Sequence, residues 1–360
     1  MNRLVILTYD YCPNNGGIAR LCGEIRNQCI KTNRPYLVIT PVFGPDEPNV
    51  VRITARRGVV EWKIWRYLMN NITDEDVILT GTFHPDGLLA VLSGAKNRCF
   101  LAHGAELLPG QSWFRRKLFS RYRRWLLSKA TKVIANSRYT SNLVKICSPK
   151  ANVIPLPLAV DNVRFRPTLP KYDDGKLHLC SISRLEKFKG HDFIIKTICG
   201  LPKEYRNRIM LEIGGKGAYK HVLEQMVADF GLKDQVKFLG FIDDDELCDF
   251  YSRNDVFILC TREEKDNRNV EGFGLVFTEA QACGTPCIGA NAGGIPDAID
   301  NGNGGWLIEQ DNEQELQSLL IKLIENPDII YQQSINALNR INTNFTWNKY
   351  FKHLKNEIDL

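Results

Sequence analysis

The chain has 360 residues, 44% hydrophobic and 24% charged, with a formal net charge of +6. That length exceeds one ordinary core and the composition is that of a soluble globular protein, so two domains are expected. No apolar run approaches the 18 or so residues of a membrane span, and the N-terminus lacks a signal-peptide layout.

In chain order, short apolar runs alternate with segments of helical length: "RLVILTY", "PYLVITPVF", "DVILTG", "RCFLAHG" and "TKVIANS". Such alternation predicts parallel sheet with right-handed crossovers. "NVIPLPLAVD" (152–161) interrupts it, because Pro155 and Pro157 exclude a helix, and it reads as a linker. Beyond it, "KLHLCSISRL", "IMLEIGG", "QVKFLGF", "DVFILC" and "TPCIGA" repeat the pattern. Two α/β units of similar size with a cleft between them follow, with ligands expected beyond the carboxyl ends of the strands. The tail "NFTWNKYFKHLKNEIDL" is helix-like and aromatic enough to fold back across a domain boundary. Expected boundaries are 1–157 and 158–343, with a helix over 344–360 packing back on the first domain.

Eleven cysteines without a secretion signal imply a reducing compartment, and none stands in a CxxC pair. Cys283 and Cys287 lack a neighbouring His or Cys cluster, so no structural metal is expected.

Chemistry concentrates in "VEGFGLVFTEAQACGTP" (270–286). Gly272 and Gly274 suit a backbone turn close to a ligand, and the following residues read as a helix ending at Gly284. The helix N-terminus is a ready site for phosphate oxygens. Along a helical path, the eight residues from Glu271 to Glu279 span roughly 12 Å. One carboxylate could then take sugar hydroxyls and the other a ribose diol; the plainer reading is a capped helix with a solvated Glu. "SISRLEKFKGHD" offers Arg184 and Lys189, two cations suited to charge developing on a departing diphosphate. "IGGKGAYKH" carries Gly214, Gly215 and Gly217 at a strand-to-helix turn, and Gly16-Gly17 follows the first strand.

The ordered set Gly16-Gly17, His103, "SRLEKFKG", "GGKG", "EGFGLVFTE" and "GGIPDAI" resembles the retaining GT-B glycosyltransferases of family four over nearly the whole chain. "NRNVEGFGLVFTEAQACG" is most similar to the phosphatidylinositol mannosyltransferase and cell-surface polysaccharide branch. The resemblance implies an α/β GT-B fold of two Rossmann-like domains facing each other across a donor-binding cleft. It also implies roles. Glu279 binds the ribose hydroxyls, and Glu271 holds the donor sugar with the backbone of Phe273 and Gly274 leading into Leu275. Arg184 and Lys189 bind the diphosphate with help from the amides at Gly16-Gly17, and Gly215 belongs to the phosphate-side turn. His103 sits by the donor sugar, though as a residue following a buried strand it also reads as a core histidine. Phe241 and Ile242 line the base pocket. The linker departs from the family pattern "PNGVD", with only Val160 and Asp161 matching.

"DDDE" (243–246) contains a formal D-x-D, but it precedes a helical segment, and N-capping by Asp accounts for it better than a metal. Residues 111–150 carry eleven Lys/Arg and no acid, leaving the remainder at −5. In "WFRRKLFSRYRRWLL", residues 113–127, a helical wheel places Phe114, Leu118, Phe119, Tyr122, Trp125 and Leu126 on one arc. Arg116, Lys117, Arg121, Arg123 and Arg124 fall elsewhere, with Arg115 the exception. This reads as attachment to an anionic membrane or as an ordinary helix with a solvated basic face. No nucleic-acid module accompanies it.

The expected activity is metal-independent, retaining hexosyl transfer without a cofactor. It would run from a nucleotide diphosphate sugar to a lipid-linked or growing glycan acceptor, peripherally on the inner face of the cytoplasmic membrane. GDP-mannose is favoured over UDP-hexoses by the branch resembled. Two other classes fit the two-domain shape, a sugar-nucleotide epimerase and a non-catalytic membrane-bound nucleotide sensor.

Overall fold

A computed structural model describes the chain except for Met1, Asn15, residues 109–112 and residues 265–268; for residues 113–117 it describes the backbone alone. The chain divides into two compact units. One comprises the residues up to Leu158 together with Trp347–Leu360, and the other runs from Ala159 to Thr346.

The first unit is built on seven parallel strands: β1 (Leu4–Leu7), β2 (Tyr36–Thr40), β3 (Val50–Arg52), β4 (Val77–Thr80), β5 (Asn97–Ala102), β6 (Lys132–Ala135) and β7 (Val153–Pro155). Their order is β3-β2-β1-β4-β5-β6-β7. Register is set from β1, where Leu4 pairs with both Tyr36 and Val77. All four β1 residues are fully buried, as a strand covered on both faces requires. The helix Trp347–Glu357 buries Tyr350, Phe351 and Leu354 within this unit, and Glu357 is bound by Lys132 at 2.8 Å.

The second unit holds β8 (Leu177–Ile182), β9 (Ile209–Gly214), β10 (Val236–Gly240), β11 (Val256–Leu259), β12 (Cys287–Ala290) and β13 (Gly305–Ile308). They are parallel in the order β10-β9-β8-β11-β12-β13. Strand order reverses beside β1 in the first sheet and beside β8 in the second. Ligands of open α/β sheets bind outside the carboxyl ends of the strands at such a switch point, here those of β1 and β4 and those of β8 and β11.

The segment read as a linker begins as a strand. Val153, Ile154 and Pro155 pair with Val133, Ile134 and Ala135. As the last strand of the order, β7 tolerates a proline because one side of its backbone needs no ladder partner. β3 and β13, three and four residues long, had no sequence signal of their own.

Candidate functional site

The carboxyl end of β8 leads through a single turn, Lys187–Lys189, into the helix His191–Cys199. Gly190 joins them at φ +80°, where a Cβ would lie 2.0 Å from the Cys260 carbonyl oxygen; glycine is the residue the crossing permits. The turn presents Lys189, whose Nζ lies 2.8 Å from Glu271 Oε2, both side chains largely buried.

Glu271 is fixed through its backbone. Its carbonyl accepts the Gly294 amide at 2.8 Å. A Cβ on Gly293 would stand 2.6 Å from that oxygen, and one on Gly294 only 1.9 Å from the Gly272 carbonyl. "EGFG" and "GGIPDAI" are thus two backbones packed directly on each other.

The helix Leu275–Ala282 opens at Gly274, in the left-handed region at φ 91°, with no side-chain cap. Glu271 therefore lies outside the helix, and the 12 Å helical-path separation does not apply to the two glutamates. The chain reverses at Gly274 before the helix begins. Glu279 is 6% exposed, not a solvated helix residue, and Tyr251, itself buried, donates its phenol to Glu279 Oε2 at 3.3 Å. Burial first, then the nearby Glu279 charge, pushes that phenol well above the usual range, so it stays a donor.

The remaining expected residues separate by environment. Arg184 does not join Lys189: its side chain is 74% exposed and pairs with Glu186 at 2.8 Å. Gly215 passes so close to the β8 turn that a Cβ would meet the Ser183 carbonyl at 1.9 Å. Phe241 is 61% exposed, with Lys216 Nζ 5.1 Å from its ring centroid, whereas Ile242 is buried and fills the space left by Gly214. Phe273 is a core side chain, stacked 6.3 Å from Phe345, so only its backbone is available to a ligand. Leu275 is the half-buried first residue of its helix.

In the first unit, Gly16 is the N-cap of the helix Gly17–Lys31. A Cβ there would lie 2.7 Å from Asp10 Oδ2, while one on Gly17 would meet nothing within 4 Å. His103 follows β5, half-buried, with Nε2 2.7 Å from the Gly81 carbonyl oxygen. A carbonyl only accepts, so Nε2 carries a proton, and a neutral ring would then keep its lone pair on Nδ1. The His103 amide donates to Glu106 Oε1 at 2.6 Å, and Asn136 donates to the His103 carbonyl at 3.1 Å.

Sequence reasoning passed over Lys216, Tyr251 and Glu106. Glu106 had a signal in "HGAE", an acid three residues after the amide it accepts. Lys216 sits in the glycine turn itself, and Tyr251 had none.

The D-x-D does not cap by Asp. Glu246 is the N-cap of Leu247–Arg253 and makes no capping bond through its side chain, while Asp244 binds Arg164 at 3.2 Å.

The basic helix, Trp113–Leu127, differs from its wheel. Leu126 and Leu127 are buried, but Leu118, Phe119 and Trp125 of the expected apolar arc are 66%, 46% and 43% exposed. Arg123, expected in solvent, is 4% exposed and donates to the carbonyls of Leu107 and Leu108. Those turn carbonyls draw the guanidinium inward, and among the described side chains the helix inserts into the core through Leu126 and Leu127. Phe114, Arg115, Arg116 and Lys117 lie outside the side chains described.

Comparison with known proteins fits this arrangement. Residues 165–341 match the family described as Glycosyl transferases group 1. A Corynebacterium glutamicum protein named GDP-mannose-dependent monoacylated alpha-(1-6)-phosphatidylinositol monomannoside mannosyltransferase is 30% identical over 378 residues, covering 96% of this chain and 94% of that protein. A Mycobacterium tuberculosis GDP-mannose-dependent alpha-(1-6)-phosphatidylinositol monomannoside mannosyltransferase is 25% identical over 91% of this chain and 90% of its own. Among solved structures, Anabaena HepE in complex with UDP superposes with a TM-score of 0.77 at 18% identity, covering all of both chains. The chain belongs to the group 1 glycosyltransferases, and its fold is GT-B.

Proposed function

We propose that the protein transfers a hexose, mannose from GDP-mannose in the first instance, to a lipid-linked or growing glycan acceptor with retention of anomeric configuration. The observation carrying this reading is the Lys189–Glu271 pair, set beside a helix that opens on Gly274 and carries the buried Glu279. Without donor, the ammonium and carboxylate neutralise each other. A nucleotide diphosphate sugar offers each a better partner, phosphate oxygens for Lys189 and sugar hydroxyls for Glu271. Glu279, held by Tyr251, accepts from the ribose diol, and Phe241 offers a face to the base. Arg184, tied only by an exposed pair of small worth, is free to turn onto the diphosphate. We assign His103 a hydrogen bond to the donor sugar through its Nδ1 lone pair.

In the step itself the C1–O bond breaks and the diphosphate leaves with the electron pair. The acceptor oxygen attacks C1 on the same face, and its proton passes to a diphosphate oxygen. Lys189 and Arg184 stabilise the charge growing on the leaving group, in place of a metal. The reading is supported by relatives named as GDP-mannose-dependent; the HepE complex makes UDP-hexoses the second donor to try. The acceptor is placed at an anionic membrane surface, which the exposed Leu118, Phe119 and Trp125 among the cations of the basic helix would contact.

The test is acceptor-dependent release of GDP from GDP-mannose with EDTA present, followed by the anomeric coupling of the product. Release with EDTA and an α-mannoside support the reading. Turnover without acceptor, an inverted product or a requirement for manganese would overturn it.

A further inference from the structure

The last two turns of the basic helix and the turn after the helix Arg138–Cys147 flank an open cavity of about 480 Å³, within the range of small-ligand pockets. Arg121, Arg124, Trp125 and Ser128 line one wall at spacings of three and four residues, hence on one helix face, and Ser148, Pro149 and Lys150 form the other. The walls are tied together: the buried Ser148 donates its hydroxyl to the Arg124 carbonyl at 3.1 Å.

The electrostatics are one-sided. No carboxylate lines the cavity, and the sequence has none between Glu106 and Asp161. Among the described residues neither Arg121 nor Lys150 has an ion-pair partner, and Arg124 is held only at Nε, 3.4 Å from the Cys147 carbonyl, leaving its terminal nitrogens available. Three cations around a half-exposed indole complement an anion attached to an apolar body. One turn toward the N-terminus, Leu118 and Phe119 stand exposed, as the approach to such a body would require.

We propose that this cavity is a binding site for the phosphate of an anionic phospholipid headgroup. The arginine forks fit phosphate oxygens pairwise, Lys150 supplies a point charge from the facing wall, and Trp125 lies at the level of the interface. The inference rests on the membrane contact proposed above and deepens it, since a headgroup pocket recognises phosphate and not charge alone.

Vesicle sedimentation tests both levels with the full chain. Phosphatidylcholine vesicles carrying phosphatidylglycerol are compared with vesicles carrying oleate, matched in surface charge. The variant Arg121→Ala/Lys150→Ala is compared with Lys129→Ala/Lys145→Ala, an equal loss of exposed charge outside the cavity. The expected result is that wild type prefers the phospholipid, and that the cavity variant loses binding by about thirtyfold and loses the preference with it. The other pair should keep the preference. Free glycerol 3-phosphate at millimolar concentration should compete with the vesicles; inorganic phosphate that competes equally well would point to a soluble-anion site and overturn the lipid assignment. Equal losses in the two variants, or equal binding to oleate vesicles, would overturn the pocket while leaving the membrane contact standing. Failure of wild type to sediment with either anionic vesicle would overturn the membrane contact and the pocket together.

Discussion

At the carboxyl ends of β8, β9 and β12, turn backbones touch one another. Gly190 lies against Cys260, Gly215 against Ser183 and Gly294 against Gly272, each where a Cβ would approach a carbonyl oxygen to about 2 Å. At the carboxyl ends of β1, β4 and β5, side chains and turns meet instead. Gly81 gives way to Thr8, Gly16 to Asp10, and His103 is held by Gly81 and Glu106. The sheets share a topology, but the second unit fixes the turns at its carboxyl edge by main-chain contact and the first by hydrogen bonds. A main-chain crossing is stiffer, because no rotamer can absorb a change in it. It would suit the diphosphate site proposed above, since preorganised groups do not have to reorganise during reaction.

The largest expected effect tests whether that stiffness serves chemistry. Lys189→Ala should lower kcat by about a hundredfold to a thousandfold, the scale for losing one preorganised group that stabilises transition-state charge. Arg184→Ala should cost less, because an exposed side chain must first be ordered. Steady-state kinetics with saturating donor would decide, and equal losses at the two positions would remove the distinction between a fixed and a mobile cation.

The comparison can also be broken at two glycines. Gly294→Ala drives a methyl to within 1.9 Å of the Gly272 carbonyl, and overpacking of this kind costs about 1–3 kcal/mol. Gly17→Ala meets nothing, and by removing glycine's flexibility from a helix it should be neutral or stabilising by up to about 1 kcal/mol. Thermal unfolding should therefore fall by several degrees in the first variant alone. Similar behaviour of both would mean that the close approaches carry no strain.

The fold was legible wherever a strand is buried on both faces, since unbroken runs such as "LVILT" and "DVFILC" have no other use in an α/β protein. Edge strands were not: β7 hid behind Pro155 because an edge position forgives what a central one cannot. At the site, the glycines of "EGFG" and "GGIPDAI" could be read as turns but not as mutual contacts, since nothing local says which carbonyl lies opposite. Arg123 escaped because a helical wheel counts polarity and cannot see the carbonyls of Glu106, Leu107 and Leu108 converging from the preceding turn.

Beneath the Lys189 turn lies His191, fully buried, with Nε2 3.2 Å from Ser181 Oγ. Burial, aided by the Lys189 charge, lowers its pKa to about 4. The imidazole is therefore neutral in the folded chain, while the unfolded chain begins to bind a proton near pH 6.5. Stability from this group is complete above pH 6.5 and is lost as pH falls toward 4, at about 2 kcal/mol by pH 5. Asp86 in the first unit has the opposite sign. Burial raises its carboxyl to about 7, so its protonated form favours folding as pH falls from 7 toward 4. On acidification from pH 7 to pH 5 the unfolding free energy of His191→Asn should therefore rise relative to that of wild type, and that of Asp86→Asn should fall relative to it. An imidazole resonance of His191 titrating near 6.5 would refute the first half.

The smallest effect concerns the two glutamates themselves. Glu271 faces a lysine through a side chain 20% exposed, so its substitution should act on turnover. Glu279 faces a phenol in the interior, so its substitution should act on binding. Glu279→Gln is a mild change structurally, because the amide oxygen can still accept the Tyr251 hydroxyl. It removes the charge that strengthens a bond to a ribose diol, a contribution of about 1.5–3 kcal/mol, so affinity for free GDP should fall by about tenfold to a hundredfold. Titration calorimetry with GDP measures this directly. Because GDP carries the ribose but no sugar, a loss seen only with GDP-mannose would move Glu279 from the nucleotide to the hexose, and unchanged affinity for both would leave it a structural partner of Tyr251.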